Sequence, residues 1–118
     1  MRLDLPQPDI RDTIIKRLNF YLSRDETGIR HTVLGILLRE HRLTAHELYT
    51  YICASYGITY KQVVSMLGVM SSKFGIIYAK RENYNKAYVY VLKEKYIPEI
   101  NQVLGHQRYS SKPPLVQT

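Results

Sequence analysis

Apolar residues recur at three- and four-residue steps through most of the first 74 residues, and the positions between them are polar. This spacing matches the period of an α-helix with one buried face. The first part of the chain is therefore expected to form helices joined by short connections. The pattern predicts four amphipathic helices in succession, over residues 9–22, 29–40, 45–56 and 60–74.

Two capping boxes mark where the third and fourth helices begin. Thr44 is followed three residues later by Glu47, and Thr59 by Gln62. In such a box the Thr hydroxyl accepts a hydrogen bond from a backbone N–H of the first turn, and the Glu or Gln side chain reaches back to the N-cap N–H. Gly57 ends the third helix as a C-terminal glycine. The turn between the two helices is consequently very short.

The pattern changes to a two-residue period after Gly75. Residues 76–81 and 86–93 are rich in Tyr, Val and Ile, which favours β-strands, and the Asn-containing segment 82–85 favours a turn. The sequence predicts a β-hairpin. Its alternation places Ile77, Ala79, Ala87, Val89 and Val91 on one face and Tyr78, Tyr88 and Tyr90 on the other.

The C-terminal part is predicted to contain one more helix. Pro98 suits the first turn of a helix that runs over 97–104 and ends at Gly105. Residues 106–118 are rich in Ser and Pro and poor in core formers, which is typical of a disordered tail. The predicted fold class is α+β, mainly α, in one domain over residues 1–105.

The charge of the chain favours a polyanionic partner. It carries 17 Lys and Arg against 10 Asp and Glu, a net charge of +7, and both nucleic acid and anionic membrane surfaces attract such a chain. The stretch from Gly57 to Lys93 has six basic residues and one acidic residue, so it holds +5 of that charge. Arg39 and Arg42 are interpreted separately, as neutralising the end of the second helix.

Nothing in the sequence indicates a membrane span or an oxidising environment. No apolar run approaches the ~20 residues that cross a bilayer, and the first ten residues lack the apolar core of a signal peptide. Cys53 is the only cysteine, which excludes an intramolecular disulfide. We expect a soluble cytoplasmic protein.

No catalytic, metal or cofactor site is expected either. The sequence contains no glycine-rich phosphate loop, and no set of nucleophile, base and acid can be assigned. The sequence accordingly predicts a binding protein that needs no cofactor, and not an enzyme. No pair with metal-ligand spacing occurs among His31, His41, His46, His106 and Cys53.

The order of elements from residue 29 to residue 93 resembles the winged helix-turn-helix superfamily. It runs helix, helix, tight glycine turn, helix and hairpin. The stretches 62–67 and 74–77, followed by the basic pair Lys80 and Arg81, are similar to the passage from recognition helix to wing in many bacterial and archaeal regulators. The two flanking helices together resemble a small archaeal group of winged-helix proteins without assigned function.

The resemblance implies a DNA-binding protein, and a transcriptional regulator in particular. In winged-helix proteins the helix after the tight turn lies in the major groove, and the wing contacts the neighbouring backbone or minor groove of duplex DNA. Carried onto this sequence, it implies DNA contacts on the outward face of the fourth helix and around the hairpin tip, by Tyr60, Lys61, Ser65, Gly68, Ser72, Lys80, Arg81, Asn83, Tyr84 and Lys86.

Other interpretations of the same residues stay open at this point. A face of Ser, Gly and Tyr is often only solvated, a charged hairpin tip keeps a sheet edge soluble, and Asn83 and Asn85 suit a turn as well as a minor groove. The fourth helix has only Lys61 near its start and Lys73 near its end. This scarcity of basic residues also fits a winged helix that serves as a protein–protein interaction module in a transcription or replication assembly.

The two terminal helices carry apolar stripes that a three-helix winged domain does not obviously need. We expect them to build a homodimer, because dimeric proteins match the two-fold symmetry of many DNA sites. The alternative is that both stripes pack on the core of their own chain. The stripes are formed by Ile10, Ile14 and Leu18 in the first helix and by Ile100, Val103 and Leu104 in the last.

Overall fold

The computed structural model describes the backbone of residues 10–111 and the side chains of residues 10–105. Within that part of the chain, five helices accompany one antiparallel sheet of three short strands. The fold is α+β and mainly helical, as the sequence predicted. Its elements are α1 (Ile10–Ser23), α2 (Ile29–Glu40), β1 (Arg42–Thr44), α3 (Ala45–Tyr56), α4 (Tyr60–Ser72), β2 (Ile77–Lys80), β3 (Val89–Leu92), a 3₁₀ turn (Glu94–Tyr96) and α5 (Ile97–Ser111).

Both predicted capping boxes form, and they fix where α3 and α4 begin. The Thr44 hydroxyl accepts a hydrogen bond from the Glu47 N–H at 3.0 Å, and the Glu47 carboxylate accepts one from the Thr44 N–H at 2.8 Å. Thr59 and Gln62 repeat this reciprocal pair at 3.1 and 2.9 Å. Gly57 ends α3 with a φ of 60°, a left-handed conformation that glycine adopts without steric cost. The sequence therefore located these two helices and their turn correctly.

A short strand, β1, follows α2 where the sequence predicted only a helix end. His41 ends α2 with a φ of 67°, and its N–H donates to the Leu37 carbonyl at 2.8 Å. The His41 carbonyl then accepts a hydrogen bond from the Leu92 N–H at 2.8 Å, and β1 pairs with β3 and buries Leu43. Three residues are too few to display a period, so only pairing with β3 makes this segment a strand.

The sheet has the order β1–β3–β2, and its register corrects the predicted faces of the hairpin. Ile77 pairs with Leu92, and Tyr78 pairs with Val91. Directly opposite residues share a face, so Val91 lies with Tyr78 and not, as predicted, with Ile77. The strands are also shorter than predicted, because the eight residues 81–88 form an exposed loop between them. In a hairpin the length of this loop sets the register.

The apolar stripes of the terminal helices lie in the core of their own chain. α1 and α5 pack against each other and against α2, and Ile14, Leu18, Ile100 and Val103 are all buried. Both stripes therefore pack on the core of their own chain, which is the alternative that the sequence left open. They are not free to form the predicted homodimer. Ile10 is the exception, since 63% of it is exposed. A dimer would have to use a different surface.

The last helix continues through Gly105 to Ser111, so the predicted helix end at Gly105 is wrong. Gly105 is exposed, and it has no positive φ that would end the helix there. The intrinsic cost of a helical glycine, about 1 kcal/mol relative to Ala, is small enough for packing of the preceding turns to override. The predicted tail, 106–118, begins within this helix. Its residues 112–118 lie outside the described residues, as do residues 1–9.

The turn between α1 and α2 is held by the carboxylate of Asp25, whose side chain is only 1% exposed. One oxygen accepts a hydrogen bond from the Gly28 N–H at 3.2 Å. The other accepts one from the His31 N–H at 3.1 Å and lies 2.7 Å from His31 Nδ1. Burial by itself would raise the pKa of Asp25, but the hydrogen bonds from His31 and from the Arg30 N–H outweigh it and lower that pKa. The ionised carboxylate therefore stabilises the first turn of α2.

We expect acid to destabilise the protein through Asp25. Because its pKa is lower in the folded than in the unfolded chain, its contribution is present above the unfolded pKa of about 4 and is lost as the pH falls through the folded value. Asp25→Ala should lower the free energy of unfolding at neutral pH by about 1–3 kcal/mol, since the partly buried N–H groups of Gly28 and His31 lose a charged acceptor. It should also flatten the pH dependence below about pH 4. Urea unfolding across this pH range measures both effects.

Glu26→Ala is the matched control for this substitution. Glu26 is the next residue along the chain, it is exposed, and it forms no ion pair within the described residues. Its loss should change the free energy of unfolding by less than about 0.5 kcal/mol. An Asp25→Ala protein as stable as the wild type at neutral pH would contradict the assigned role.

Candidate nucleic-acid interface

α4 presents one buried and one exposed face, as its apolar stripe predicted. Val63, Leu67 and Met70 are fully buried, and the helix packs against α3 and β2. Tyr60 and Val64 are partly exposed on the opposite face. The other predicted contact residues of this helix, Lys61, Ser65, Gly68 and Ser72, are all exposed. The helix thus offers a mixed surface of phenol, methyl, hydroxyl and one ammonium group.

Residues 81–88, which we call the hairpin loop, are shaped by Asn83. Its side-chain carbonyl accepts a hydrogen bond from the Asn85 N–H at 2.9 Å, and its backbone carbonyl accepts one from the Lys86 N–H at 3.1 Å. Asn side chains favour such local turns. Asn83 therefore has the structural role that the sequence left open. Tyr84, at the tip, is 89% exposed.

Arg81 is held in place by two tyrosine rings of the hairpin loop. Its guanidinium carbon lies 4.5 Å from the ring centroid of Tyr88 and 5.1 Å from that of Tyr84. Such cation–π contacts contribute about 0.5–1 kcal/mol each at exposed sites. They restrict the rotamers of the side chain and leave N–H groups at the guanidinium edge for an anion. A positioned planar guanidinium suits bidentate binding of a phosphate.

A depression of about 310 Å³, the inner cleft, separates the hairpin loop from the starts of α3 and α4. Tyr60 lies on its α4 side, where its ring packs edge to face on Tyr49 at 6.0 Å. Arg81 and Lys86 lie on its loop side, so the fold brings together three predicted site residues from two separate segments. The inner cleft is lined, with no acidic residue among the described ones, by Thr44, Ala45, His46, Tyr60, Val64, Arg81, Lys86, Ala87, Tyr88 and Tyr90.

The tyrosines of the inner cleft add hydroxyl groups and flat rings to its cations. Burial raises the pKa of Tyr90, and the neighbouring phenols of Tyr60 and Tyr88 raise it further. Tyr90 therefore stays neutral at physiological pH and keeps its O–H as a donor. Donor hydroxyls beside cations and rings suit a ligand that combines phosphates with bases.

A second depression of about 370 Å³, the outer cleft, lies along the outer face of the sheet beside the hairpin loop. Thr44 and Lys80 both pair with Val89, so the three residues form one row across this face. Arg42 is two residues before Thr44 on β1 and shares the same face. The outer cleft is lined by Arg42, Thr44, Lys80, Arg81, Glu82, Lys86, Ala87 and Val89.

Arg42 is a candidate site residue that the sequence analysis missed. It was assigned to the end of α2, because β1 was not predicted. In the structure it is exposed and lines the outer cleft with the cations of the hairpin loop. The only sequence signal was Leu43 between Arg42 and Thr44, an alternation too short to identify a strand. His46 and Tyr88 line the inner cleft as well, and neither was predicted as a site residue.

The two clefts concentrate positive charge that no carboxylate among the described residues pairs with. Among the residues that the structure describes, Glu82 is the only acidic one that lines either cleft. Unpaired cations this close together raise the local positive potential and attract a counter-anion. This arrangement is what neutralisation of a phosphate backbone requires. The cations that line the two clefts are Arg42, Lys80, Arg81 and Lys86, and none of these four forms an ion pair within the described residues.

Only four of the predicted contact residues line a cleft, Tyr60, Lys80, Arg81 and Lys86, and the other six, which line neither, are Lys61, Ser65, Gly68, Ser72, Asn83 and Tyr84. Ser72 lies farthest along α4 from the inner cleft. It ends α4, and its hydroxyl donates to the Gly68 carbonyl at 2.7 Å. A helix of 13 residues is about 20 Å long, so most of that length separates Ser72 from Tyr60. Helical periodicity shows which residues share a face, but it does not show which part of that face meets another element.

Comparison with known families identifies the region that this chain shares with others. Residues 18–100 match the model of a family described as "Protein of unknown function (DUF2551)". The chain belongs to this family. The match begins within α1 and ends within α5, so both clefts of this DUF2551 member lie inside it. No curated protein and no solved structure matches the chain.

Among its described residues, this DUF2551 member has no group of three or more His, Cys, Asp or Glu side chains that could hold a metal ion. Cys53, the free cysteine, is half-buried in α3. None of the helices in the same part of the chain is long and apolar enough to cross a membrane.

Proposed function

We propose that this member of the DUF2551 family is a winged-helix DNA-binding protein that acts as a transcriptional regulator. The observation that carries the proposal is the inner cleft, which the exposed face of α4 and the basic hairpin loop line together. In winged-helix proteins the second helix of the helix-turn-helix pair lies in the major groove, and the wing contacts the flanking backbone. α4 and the β2–β3 hairpin correspond to these two elements.

The order of the elements supports this assignment. α2, β1, α3, α4 and the hairpin follow one another as in winged-helix domains, with α1 and α5 as additions that pack on α2. The Gly57 turn and the two capping boxes fix the start of α4 relative to α3. The N-terminus of a helix favours phosphate binding, and Lys61 adds a cation in its first turn.

Contacts to phosphates are expected to dominate contacts to bases. The hairpin loop supplies cations, whereas α4 offers the Ser65 hydroxyl, the Tyr60 phenol and the methyl groups of Val64. A hydroxyl bonds to phosphate or to several base edges, and methyl groups contact the thymine methyl. Charge and the shape of the duplex therefore contribute more to recognition than direct readout of bases.

A protein-binding role is the second candidate function, and the exposed tyrosines favour it. Tyr60, Tyr78, Tyr84 and Tyr88 are all exposed on or near the two clefts, and aromatic residues are enriched at protein–protein interfaces. In this alternative the inner cleft receives an acidic protein surface, and duplex DNA does not bind.

Fluorescence anisotropy with labelled random and genomic duplexes tests the proposal. The wild-type protein should bind at low salt, and its affinity should fall as salt rises because binding releases counterions. Gly68→Glu should weaken binding by about tenfold or more, since it places a carboxylate on the α4 face that meets base edges and phosphates. A Cβ at Gly68 meets no atom within 4 Å, so the fold should tolerate the substitution.

Gly105→Glu is the matched control for this test. Gly105 is also an exposed helical glycine with free space around a Cβ, but it lies on α5. Its substitution adds the same charge and should change the affinity by less than about threefold, because salt screens distant charges. Equal losses in both variants would show that only net charge matters. Absence of binding even at low salt would reject the DNA function and favour protein contact.

A further inference from the structure

A third depression, also basic, lies near the C-terminal end of α4, whereas the inner cleft lies near its N-terminal end. It encloses about 800 Å³ between the second half of α1, the start of α2 and the end of α4, and we call it the α1–α4 groove. No acidic residue occurs among the described residues that line it. Its cations are Lys16, Arg17, Arg24, Arg30 and Lys73.

Aromatic rings lie among these cations. Tyr21 and Phe74 pack edge to face with their ring centroids 5.0 Å apart. Phe20 is 64% exposed, and the Arg24 guanidinium lies 5.3 Å from its ring centroid. An exposed aromatic ring can stack on a flat base, and cations beside it can bind a phosphate. The groove therefore offers both a flat platform and a site for an anion.

Two of the groove cations are held by hydrogen bonds to backbone carbonyls. Arg30 donates to the Tyr21 carbonyl at 2.7 Å and stacks on the Tyr21 ring at 4.1 Å. Arg17 donates to the Lys73 carbonyl at 3.1 Å. Restricting these side chains in advance lowers the entropy that a ligand has to remove on binding. None of the five cations forms an ion pair with a carboxylate within the described residues.

We propose that the α1–α4 groove binds a nucleotide, a small anion that carries an aromatic base and one or more phosphates. The groove has the volume of a small-molecule site, for which about 300–1,000 Å³ is usual. The phosphates are bound by the cations, and the base stacks on the exposed ring of Phe20. This site is separate from the two clefts, so the inference goes beyond the proposed DNA function and its test requires no duplex.

Titration calorimetry and ¹H–¹⁵N chemical-shift mapping with ATP test the proposal on the full chain. ATP should bind, with shift changes centred on the groove. Adenosine and pyrophosphate should each bind at least about tenfold more weakly than ATP, because each of them supplies only one of the two interactions. Phe20→Ala should weaken ATP binding about fivefold or more, and Lys16→Ala with Lys73→Ala about tenfold. The three side chains are exposed, so these variants should remain folded.

Variants of the hairpin loop are the matched controls. Tyr84→Ala removes a ring that is 89% exposed, and Lys80→Ala with Lys86→Ala removes two exposed charges. These variants should leave ATP affinity within about twofold of the wild type. Absence of ATP binding at low salt, or losses as large in these controls as in the groove variants, would overturn the proposal.

Two further outcomes separate this site from neighbouring interpretations. A single-stranded oligonucleotide that binds the groove far more tightly than ATP would overturn the proposal by identifying a strand-binding surface. ATP binding that depends on Phe20 in a protein that does not bind duplex DNA would support the nucleotide site and reject only the DNA function.

Discussion

Replacing Lys80, Arg81 and Lys86 together with alanine should weaken duplex binding by about 100-fold at about 0.1 M salt. Each cation that neutralises a phosphate releases a counterion, so the slope of log affinity against log salt should become shallower by about three. Arg81 should account for the largest share, because Tyr84 and Tyr88 already restrict its guanidinium. Anisotropy titrations at several salt concentrations give both the affinity and the slope.

A charge-matched triple variant distinguishes a local contact from a general effect of net charge. Lys16, Arg39 and Lys95 are exposed and lie outside both clefts. Their joint replacement with alanine lowers the net charge by the same amount, and it should weaken binding much less than the hairpin-loop variant, by less than about fivefold. Equal effects of the two triple variants, or an unchanged salt slope in the hairpin-loop variant, would argue against the wing as a phosphate contact.

Leu18→Ala should lower the free energy of unfolding by about 3–5 kcal/mol, which is a large part of the stability of a domain this small. Leu18 is completely buried where α1 packs against α5 and α2. The substitution removes apolar contacts and leaves a cavity that neighbouring helices fill only in part. Urea unfolding followed by circular dichroism measures the change.

The dependence on protein concentration gives this experiment a second readout. If α1 and α5 pack within one chain, the midpoints of wild type and Leu18→Ala should both be independent of concentration, because folding is then unimolecular. Phe20→Ala is the matched control from the same helix, and its exposed ring should contribute less than about 0.5 kcal/mol. A midpoint that rises with protein concentration would instead indicate that the chain unfolds from an oligomer.

The helices were predictable because their signals are local. Thr44 and Thr59 with their partners three residues later specify two helix starts, and the reciprocal hydrogen bonds are present in the structure. The 3.6-residue period identifies the buried residues of α4, because every residue on that side meets the core. These features depend on neighbours within one turn of the chain and need no knowledge of the rest of the fold.

The candidate site was predictable only in part. The exposure of Lys61, Ser65 and Gly68 follows from the stripe of α4, and the charge of the hairpin follows from composition. The two clefts cannot be predicted from the sequence pattern, because they depend on how the hairpin loop lies beside α3 and β1. For that reason Arg42 was missed, and Ser72 was grouped with Tyr60 and Lys61, which lie at the opposite end of α4.

The sequence by itself determined which segments are helical, where α3 and α4 begin, and that positive charge collects in the second half of the chain. The tertiary structure decided the existence of β1, the register of the hairpin, the continuation of α5 past Gly105 and the burial of the terminal stripes inside one chain. The physical reason is the range of the interactions. Helix caps and helical periods act within a few residues, whereas strand pairing and the partner of an apolar face depend on contacts between segments that are distant in the sequence.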